Sequence, residues 1–384
     1  MKILKHGDIY GPEHIGVKDI LVEGEKIARI ADHIDEYDHI EEVEKLDLEG
    51  HILVPGYMDI HVHITGGGGE HGPATRVPEA GLSQLVKCGI TTVVGLLGTD
   101  GITRSLENLL AKARALKEEG ITCYILTGAY EYPPPTLTGD VERDIMLIDR
   151  MVGVKTSMSD HRSSNLTGEQ LIHLAAQARR AGMLSGCGGY VTIHMGDGKA
   201  MLDPLFYAID NSDVPVQKFL PTHIGRSDAL FEQGLAFIKR GGTVDLTAGL
   251  TKEDRERMAD KILCYLEQYP DNLNMTMSSD AYGSAPRFNE QKECIGLTYA
   301  SPASLHQQLK LLVCERNVSL DKALNLLTRN PARVLGLTGT KGTVSKGGDA
   351  DFVVYDSDMD ILHVMAGGRK AVWDKKVLMK GTFE

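Results

Sequence analysis

Positive charge is in short supply in this chain: 41 lysines and arginines face 53 aspartates and glutamates, for a formal net charge of −12. That balance argues against nucleic acid or an anionic membrane as a partner, because both call for a basic face. Cysteine is sparse as well. The six (Cys88, Cys123, Cys187, Cys264, Cys294 and Cys314) are widely scattered, and no two have zinc-knuckle or redox spacing, so reduced thiols in a cytoplasmic setting are expected. No apolar run reaches membrane-spanning length, and the opening Met1-Lys2-Ile3-Leu4-Lys5-His6-Gly7 turns polar too early for a signal peptide. No Gly-x-Gly-x-x-Gly follows a strand pattern, and Gly198-Lys199-Ala200 lacks the Ser or Thr of a phosphate loop, which sets nucleotide binding aside. Low-complexity segments and short repeats are absent too. What is present is an ordinary globular composition, 42% hydrophobic and 24% charged over 384 residues. Such a chain can bury an ample core, as two domains or as one large domain with an appendage.

Three zones follow one another. Residues 1–56 read as short strands, with Asp19–Val22 and Lys26–Ile30 forming a hairpin across a Glu23-Gly24-Glu25 turn. Residues 340–384 return to strands at Ala350–Tyr355, Leu362–Met365 and Lys370–Trp373. Neither terminal zone is large enough to bury a core alone, so the two are expected to pair into one small β-sandwich domain (1–56 plus 340–384). Between them, residues 57–339 carry eight apolar or β-branched runs: Tyr57–Ile64, Thr91–Leu97, Cys123–Tyr130, Met151–Met158, Tyr190–Gly196, Lys218–Gly225, Gly242–Ala248 and Leu273–Asp280. Helical patterns separate most of them. Ser105–Glu119 places Leu106, Leu109, Leu110, Ala113 and Leu116 on one 3.6-period stripe, and Thr167-x-x-Gln170 reads as a capping box opening a helix to Arg180. Eight β/α alternations predict an α/β fold, a (β/α)8 TIM barrel.

A barrel of this kind carries its chemistry at the C-terminal ends of its strands. His61 and His63 lie there on the first strand, on one face because side chains alternate. Lys155 sits in the fourth, His194 ends the fifth, His223 the sixth and Asp280 the eighth. Taken singly, His194 or His223 is more often a satisfied core histidine than a ligand, and His61 with His63 could equally be a surface pair. Six such side chains converging on one barrel face point instead to metal-ligand chemistry. Lys155 needs its own account, because a lysine inside a buried strand must neutralise, find an acid or send its head to solvent. If neutral, its amine can take up carbon dioxide to form an anionic carbamate able to bridge two divalent metals.

These residues resemble the ligand set of the binuclear metal amidohydrolase superfamily. So does the tail Asn330-Pro331-Ala332-Arg333-Val334-Leu335-Gly336-Leu337, with Lys341-Gly342 and Gly347-Gly348-Asp349-Ala350-Asp351. Within that superfamily the chain is similar, nearly end to end, to the isoaspartyl (β-aspartyl) dipeptidases. The specific stretches are Gly66–Glu70, Gly95–Asp100, Leu126–Tyr130, Ser159–Arg162, His194–Asp197 and Ser278–Asp280. The resemblance implies a zinc-dependent hydrolase of β-aspartyl dipeptides. Two Zn2+ would be bridged by N6-carboxylated Lys155 and a hydroxide, with His61, His63 and Asp280 on one ion and His194 and His223 on the other. Asp280 would shuttle the proton to the leaving amine, and Tyr130 would donate to the developing oxyanion. Glu70, beside the Gly68-Gly69 backbone, would accept the substrate α-ammonium, with Thr99 adding a polar contact. Arg226 would hold the α-carboxylate, and Arg162 with Ser284 the carboxylate of the departing residue. The family further implies a homo-oligomer, plausibly an octamer.

Two rivals stay open at this stage. A cyclic amidohydrolase of the dihydroorotase or dihydropyrimidinase type would share every metal ligand, but its substrate lacks the free ammonium that Glu70 suits. A metal-free scaffold on the same fold should have lost ligands, and this sequence has kept them all.

Overall fold

Eight short parallel strands, each buried along most of its length, surround the middle of the chain in a computed structural model that describes residues 1–271, 273–288 and 294–384. They are β1 (Tyr57–Val62), β2 (Ile90–Gly95), β3 (Thr122–Gly128), β4 (Met151–Met158), β5 (Tyr190–Met195), β6 (Phe219–Thr222), β7 (Val244–Thr247) and β8 (Met275–Ser278). Their sequences are the near-continuous apolar and β-branched runs that strands covered on both faces require. Ladders join β1 through β6 in order, and β7 to β8. A parallel bridge from Val62 to Ala281 ties β8 back to β1. No ladder joins β6 to β7 among the described residues; there Thr222 Oγ1 donates to Asp245 Oδ2 across the gap at 2.6 Å. The result is the α/β barrel expected from the strand count.

A helix follows each strand, from Leu82–Val86 after β1 to Ala303–Lys310 after β8. The two helix starts read from the sequence are observed. Ser105 caps Leu106–Glu119 by accepting from Asn108 N, and Thr167 with Gln170 forms a full capping box on Gly168–Ser185. That second helix runs five residues past Arg180, to a left-handed Gly186 cap.

The strands of the two chain ends share one sheet. Phe352–Tyr355 pairs antiparallel with Ile52–Pro55, Tyr355 facing Ile52 and Phe352 facing Pro55. From this seam the sheet extends through Lys2–Tyr10, His14–Glu23 and Lys26–Ala31 on one side, and through Ile361–Ala366, Arg369–Trp373 and Lys376–Val377 on the other. Glu44–Asp47 adds to the edge of Lys2–Lys5. Hydrogen bonding therefore describes one continuous nine-stranded sheet, where the sequence suggests a sandwich. The seam explains why both termini are needed: Leu53, Phe352 and Val354 close a core with Leu4, Ile9 and Ile20 that neither end could bury alone.

One buried carboxylate organises the segment after β3. Asp144, wholly buried, accepts from Thr127 Oγ1 at 2.5 Å, Leu137 N at 2.9 Å, and Thr138 N and Oγ1 at 2.8 and 2.7 Å. Asp144→Ala takes the acceptor from Leu137 N, Thr138 N and Thr138 Oγ1 and leaves Thr127 Oγ1 only Pro135 O at 3.4 Å, and is expected to destabilise the fold by on the order of 3 kcal/mol. Thermal unfolding checks this; an unchanged midpoint would show that the segment holds itself. Five cysteines are free thiols; the side chain of Cys294 lies outside the described residues.

Candidate active site

The strand ends deliver the six expected ligand-type side chains to one place. His61 lies within β1 and His63 just beyond it, on the same face, their ring centroids 5.7 Å apart. His223 follows β6 with φ 62°, and Asp280 lies two residues past β8 with φ 53°. Left-handed backbone is uncommon outside glycine and is often tolerated for function. Here it turns the chain at both strand ends. The His223 ring lies 4.9 Å from that of His61 and 4.6 Å from that of His194. Lys155 Nζ is 3.2 Å from His61 Nε2. Asp280 Oδ1 is 3.2 Å from His63 Nε2 and 3.5 Å from His61 Nε2.

This is a set of electron-pair donors in search of a cation. His61, His63 and Asp280 each offer a ligand atom, all within 4.8 Å of one another. His61 Nδ1, His63 Nδ1 and Asp280 Oδ1 are buried without a hydrogen-bond partner, an arrangement proteins rarely leave unexplained. Burial, with the neighbouring Lys155 and imidazoles, holds His61 and His223 well below the usual histidine range, and burial takes His194 to about 3 despite Asp160. Neutral imidazole is the ligand form. Burial pushes Asp280 up, but the neighbouring His63, then Lys155 and His194, hold it below its ordinary value. Lys155 is fully buried, has no ion pair among the described residues, and is lowered by that burial to about 7. The sequence left open an acid partner or a solvent-facing head; the structure provides neither. The donor set fits divalent metal, and the neutral amine fits carbamate formation.

Above this floor lies a polar pocket lined by Glu70, Thr99, Tyr130, Arg162, Arg226 and Ser284 among others. Glu70 accepts from Thr99 Oγ1 at 3.2 Å and Ser284 Oγ at 3.0 Å, and its Oε1 lies 3.5 Å from Arg162 Nη1. Ser284, expected beside Arg162, is thus engaged with Glu70. Tyr130 O–H donates to His194 Nδ1 at 2.6 Å, and burial raises its phenol far above the usual value. Gly68 lines the pocket, whereas Gly69 faces the adjoining groove with Pro73, Arg76 and Ile102. The glycine run also has a steric cause besides ligand approach. Gly68 has φ +80°, and a Cβ there would sit 2.4 Å from Thr75 O.

Four further polar residues support the site. Arg104, buried and without a carboxylate partner among the described residues, donates to the carbonyls of Thr65, Val77 (2.7 Å) and Gly67 (3.3 Å), pinning the glycine run. Asp59 accepts from Ser279 N at 3.1 Å and from Ser279 Oγ, next to Asp280; burial raises it to about 7. Asp245 gathers Thr222, Thr276 and Ser278 at 2.6, 2.7 and 2.6 Å beside His223. Asp160 reaches His194 and two arginines. The only sequence signal for any of them is a charged residue inside a ligand-bearing stretch, as Asp59 is in Asp59-x-His61-x-His63 and Asp160 in Ser159–Arg162.

Comparison with known proteins agrees with this geometry. An amidohydrolase family model matches residues 237–382. The chain is similar to a β-aspartyl dipeptidase from Fervidobacterium islandicum AW-1, solved in complex with β-Asp-Leu: 43% identity, 98% of each chain covered, TM-score 0.90. It shares its fold with a D-hydantoinase from Thermus, at 17% identity, 99% and 97% coverage and TM-score 0.70. A dihydroorotase from Staphylococcus aureus is 30% identical over 118 residues, which is 31% of this chain but 26% of the dihydroorotase.

Proposed function

Because the chain belongs to the β-aspartyl dipeptidase family of the amidohydrolases, we propose that it hydrolyses the β-aspartyl (isoaspartyl) peptide bond of isoAsp-Xaa dipeptides. The observation that carries this reading is the charge count of the pocket. Three carboxylates and three guanidiniums line it, but Asp280 belongs to the histidine cluster, Asp100 pairs with Arg76 at 3.0 Å and Arg104 is spent on backbone carbonyls, which leaves Glu70, Arg162 and Arg226 to meet a ligand. A free β-aspartyl dipeptide brings one ammonium and two carboxylates, the complementary set. Dihydroorotate and hydantoins carry no ammonium and would leave Glu70 unanswered.

In this reading His61, His63 and Asp280 would hold one zinc ion and His194 and His223 a second, with carboxylated Lys155 as a further ligand. Bound there, the ions supply Lewis acidity and an activated water. The chain's own residues do the rest. Glu70 takes the substrate α-ammonium, with Thr99 and the Gly68 backbone beside it, and Arg226 takes the α-carboxylate. Arg162, with Ser284, takes the carboxylate of the departing residue. Tyr130 O–H points its proton at the carbonyl oxygen as that oxygen gains charge. Asp280 accepts a proton from the attacking water and delivers it to the amide nitrogen as the C–N bond breaks. Residues 57–339 form the catalytic domain and 1–56 with 340–384 the small β domain. We place the enzyme in the cytoplasm as a homo-oligomer, an octamer on the family pattern.

Linkage specificity tests the assignment. An α-linked Asp dipeptide has no free α-carboxylate beside its ammonium, so Arg226, with only the 3.5 Å contact to Asp160, would be covered by substrate without the carboxylate it is placed to meet. That costs roughly 1–3 kcal/mol, and at least about tenfold discrimination should follow. β-Asp-Leu is expected to be cleaved and α-Asp-Leu scarcely at all. Glu70→Gln should lower kcat/KM on β-Asp-Leu roughly 10- to 100-fold, the worth of a charged hydrogen bond. Equal rates on the two isomers, or a preference for dihydroorotate or a hydantoin, would overturn the assignment.

A further inference from the structure

Asp160 is the most heavily engaged side chain in the site, although nothing in the reaction touches it. It is buried, and both of its oxygens are committed. Oδ1 accepts from Arg162 N and from Arg162 Nε, each at 2.9 Å. Oδ2 accepts from Arg162 Nη2 at 2.9 Å and lies 2.9 Å from His194 Nε2 and 3.5 Å from Arg226 Nη1. His161 Nδ1, on the exposed side, is 3.4 Å from Oδ1. One carboxylate thus meets an imidazole of the convergent set and two of the three guanidiniums that line the pocket.

The close approach is built in. Gly196 stands two residues past His194, and a Cβ there would lie 2.2 Å from Ser159 O and 2.6 Å from Asp160 Cα. Only a residue without a side chain lets the turn after β4 press against the end of β5 and bring Asp160 to His194. Gly196 N donates to Met158 O at 3.0 Å and Gly198 N to Ser159 O at 2.7 Å, locking the two segments together.

The chemistry follows from hydrogen-bond direction. An ionised carboxylate can only accept. The proton of the neutral His194 ring must therefore sit on Nε2, which leaves the Nδ1 lone pair on the pocket side, where Tyr130 O–H now donates to it. Arg162, gripped through Nε and Nη2, turns Nη1 to the pocket, where it lies 3.5 Å from Glu70 Oε1. We infer that Asp160 is a positioning residue joining the two halves of the site: it fixes His194 as the Nε2–H tautomer, with Nδ1 available to metal, and it aims Arg162 and Arg226 at the substrate carboxylates. The metal half rests on the zinc reading given above; the arginine half does not. Carboxylate partners of ligating histidines are a recurrent device for setting tautomer and ring orientation.

Asp160→Asn tests both halves with almost no change of volume. If its amide oxygen stays with Arg162 N and Nε, its NH2 must face His194 Nε2 and Arg162 Nη2. Only the opposite tautomer of His194 can accept that NH2, and it puts a proton on Nδ1. With zinc affinity measured by chelator competition, the more weakly held ion is expected to bind roughly 10- to 100-fold less tightly than in wild type. KM for β-Asp-Leu should rise at least about tenfold as the arginines lose their anchor. A purely structural carboxylate would lower the thermal midpoint and leave both quantities unmoved. Wild-type zinc affinity together with wild-type KM in Asp160→Asn would overturn the inference.

Should the variant fail to fold, wild-type protein still decides. Nitrogen NMR of isotope-labelled histidine in the zinc-loaded enzyme, with the His194 signal assigned by its loss in His194→Gln, is expected to place the ring proton on Nε2. A proton on Nδ1 refutes the tautomer claim. Wild type that takes up no zinc would sink the metal reading and with it that half of the inference. The KM arm would then judge the arginine half alone.

Discussion

Asp280→Asn is expected to lower kcat on β-Asp-Leu by about 10²–10⁴-fold while KM changes little. The side chain is half-buried at the rim of β8, with its Oδ1 enclosed 3.2 Å from His63 Nε2. Among the described residues it is the acid of the histidine–carboxylate cluster. The nearby histidines and Lys155 keep it ionised, so it stands ready to take a proton. Asparagine keeps the volume and one oxygen, so metal content should survive, but an amide cannot carry the proton. The loss should therefore fall on the chemical step and spare binding. Steady-state kinetics with metal analysis of the same sample checks this. A fully metallated Asp280→Asn enzyme with near-normal turnover would mean that another group moves the proton.

Lys155→Ala is expected to abolish nearly all activity and to strip the protein of metal, where wild type should hold about two zinc-class ions per chain, bridged by an anion from this residue. The physical case rests on burial. An ammonium with no ion pair in a fully enclosed position is costly, and burial has already brought this amine to about 7, where the neutral, nucleophilic form is well populated. Nζ lies 3.2 Å from His61 Nε2, on the histidine side of the site. Carboxylation would convert an awkward buried amine into the anion that two cations need. Metal analysis of the variant tests the first claim. A high-resolution map of active, metallated wild type tests the second, and unmodified lysine in that map would end the carbamate argument.

Much of the architecture is local and was therefore legible in the sequence. The run Met151–Met158 is a strand of those same limits, because an unbroken run of eight with Val152, Val154 and Thr156 has the length and β-branched content of a strand covered on both faces. Thr167 announces its helix because a capping box is a contact between residues three apart, and Leu106–Glu119 is announced by its 3.6-period stripe. His61 and His63 could be placed on one face because strand geometry repeats every two residues. The sixth strand shows where this kind of reading stops. The apolar run Lys218–Gly225 looks like one strand, yet the ladder covers Phe219–Thr222 only. His223 turns left-handed and Ile224–Arg226 closes into a 3₁₀ turn, while Lys218 belongs to the turn before it. Hydropathy does not register a change of backbone sign at a single residue.

The supporting residues were hidden for a different reason. Arg104 reads as a polar residue before a helix cap, and its role emerges only when Thr65 and Val77, 39 and 27 positions away, present their carbonyls to it. Asp160 reads as a turn residue until Gly196 allows β5 to approach and His194 arrives at 2.9 Å. Glu70 and Ser284 meet across 214 residues. Periodicity, caps and the kinds of ligand-forming side chain are written at spacings of two to four residues, where backbone geometry alone sets which groups are neighbours. The nine-stranded seam, the hydrogen bonds that aim each ligand and the charge count of the pocket depend on which distant segments pack together. Those were settled by burial and close approach in three dimensions.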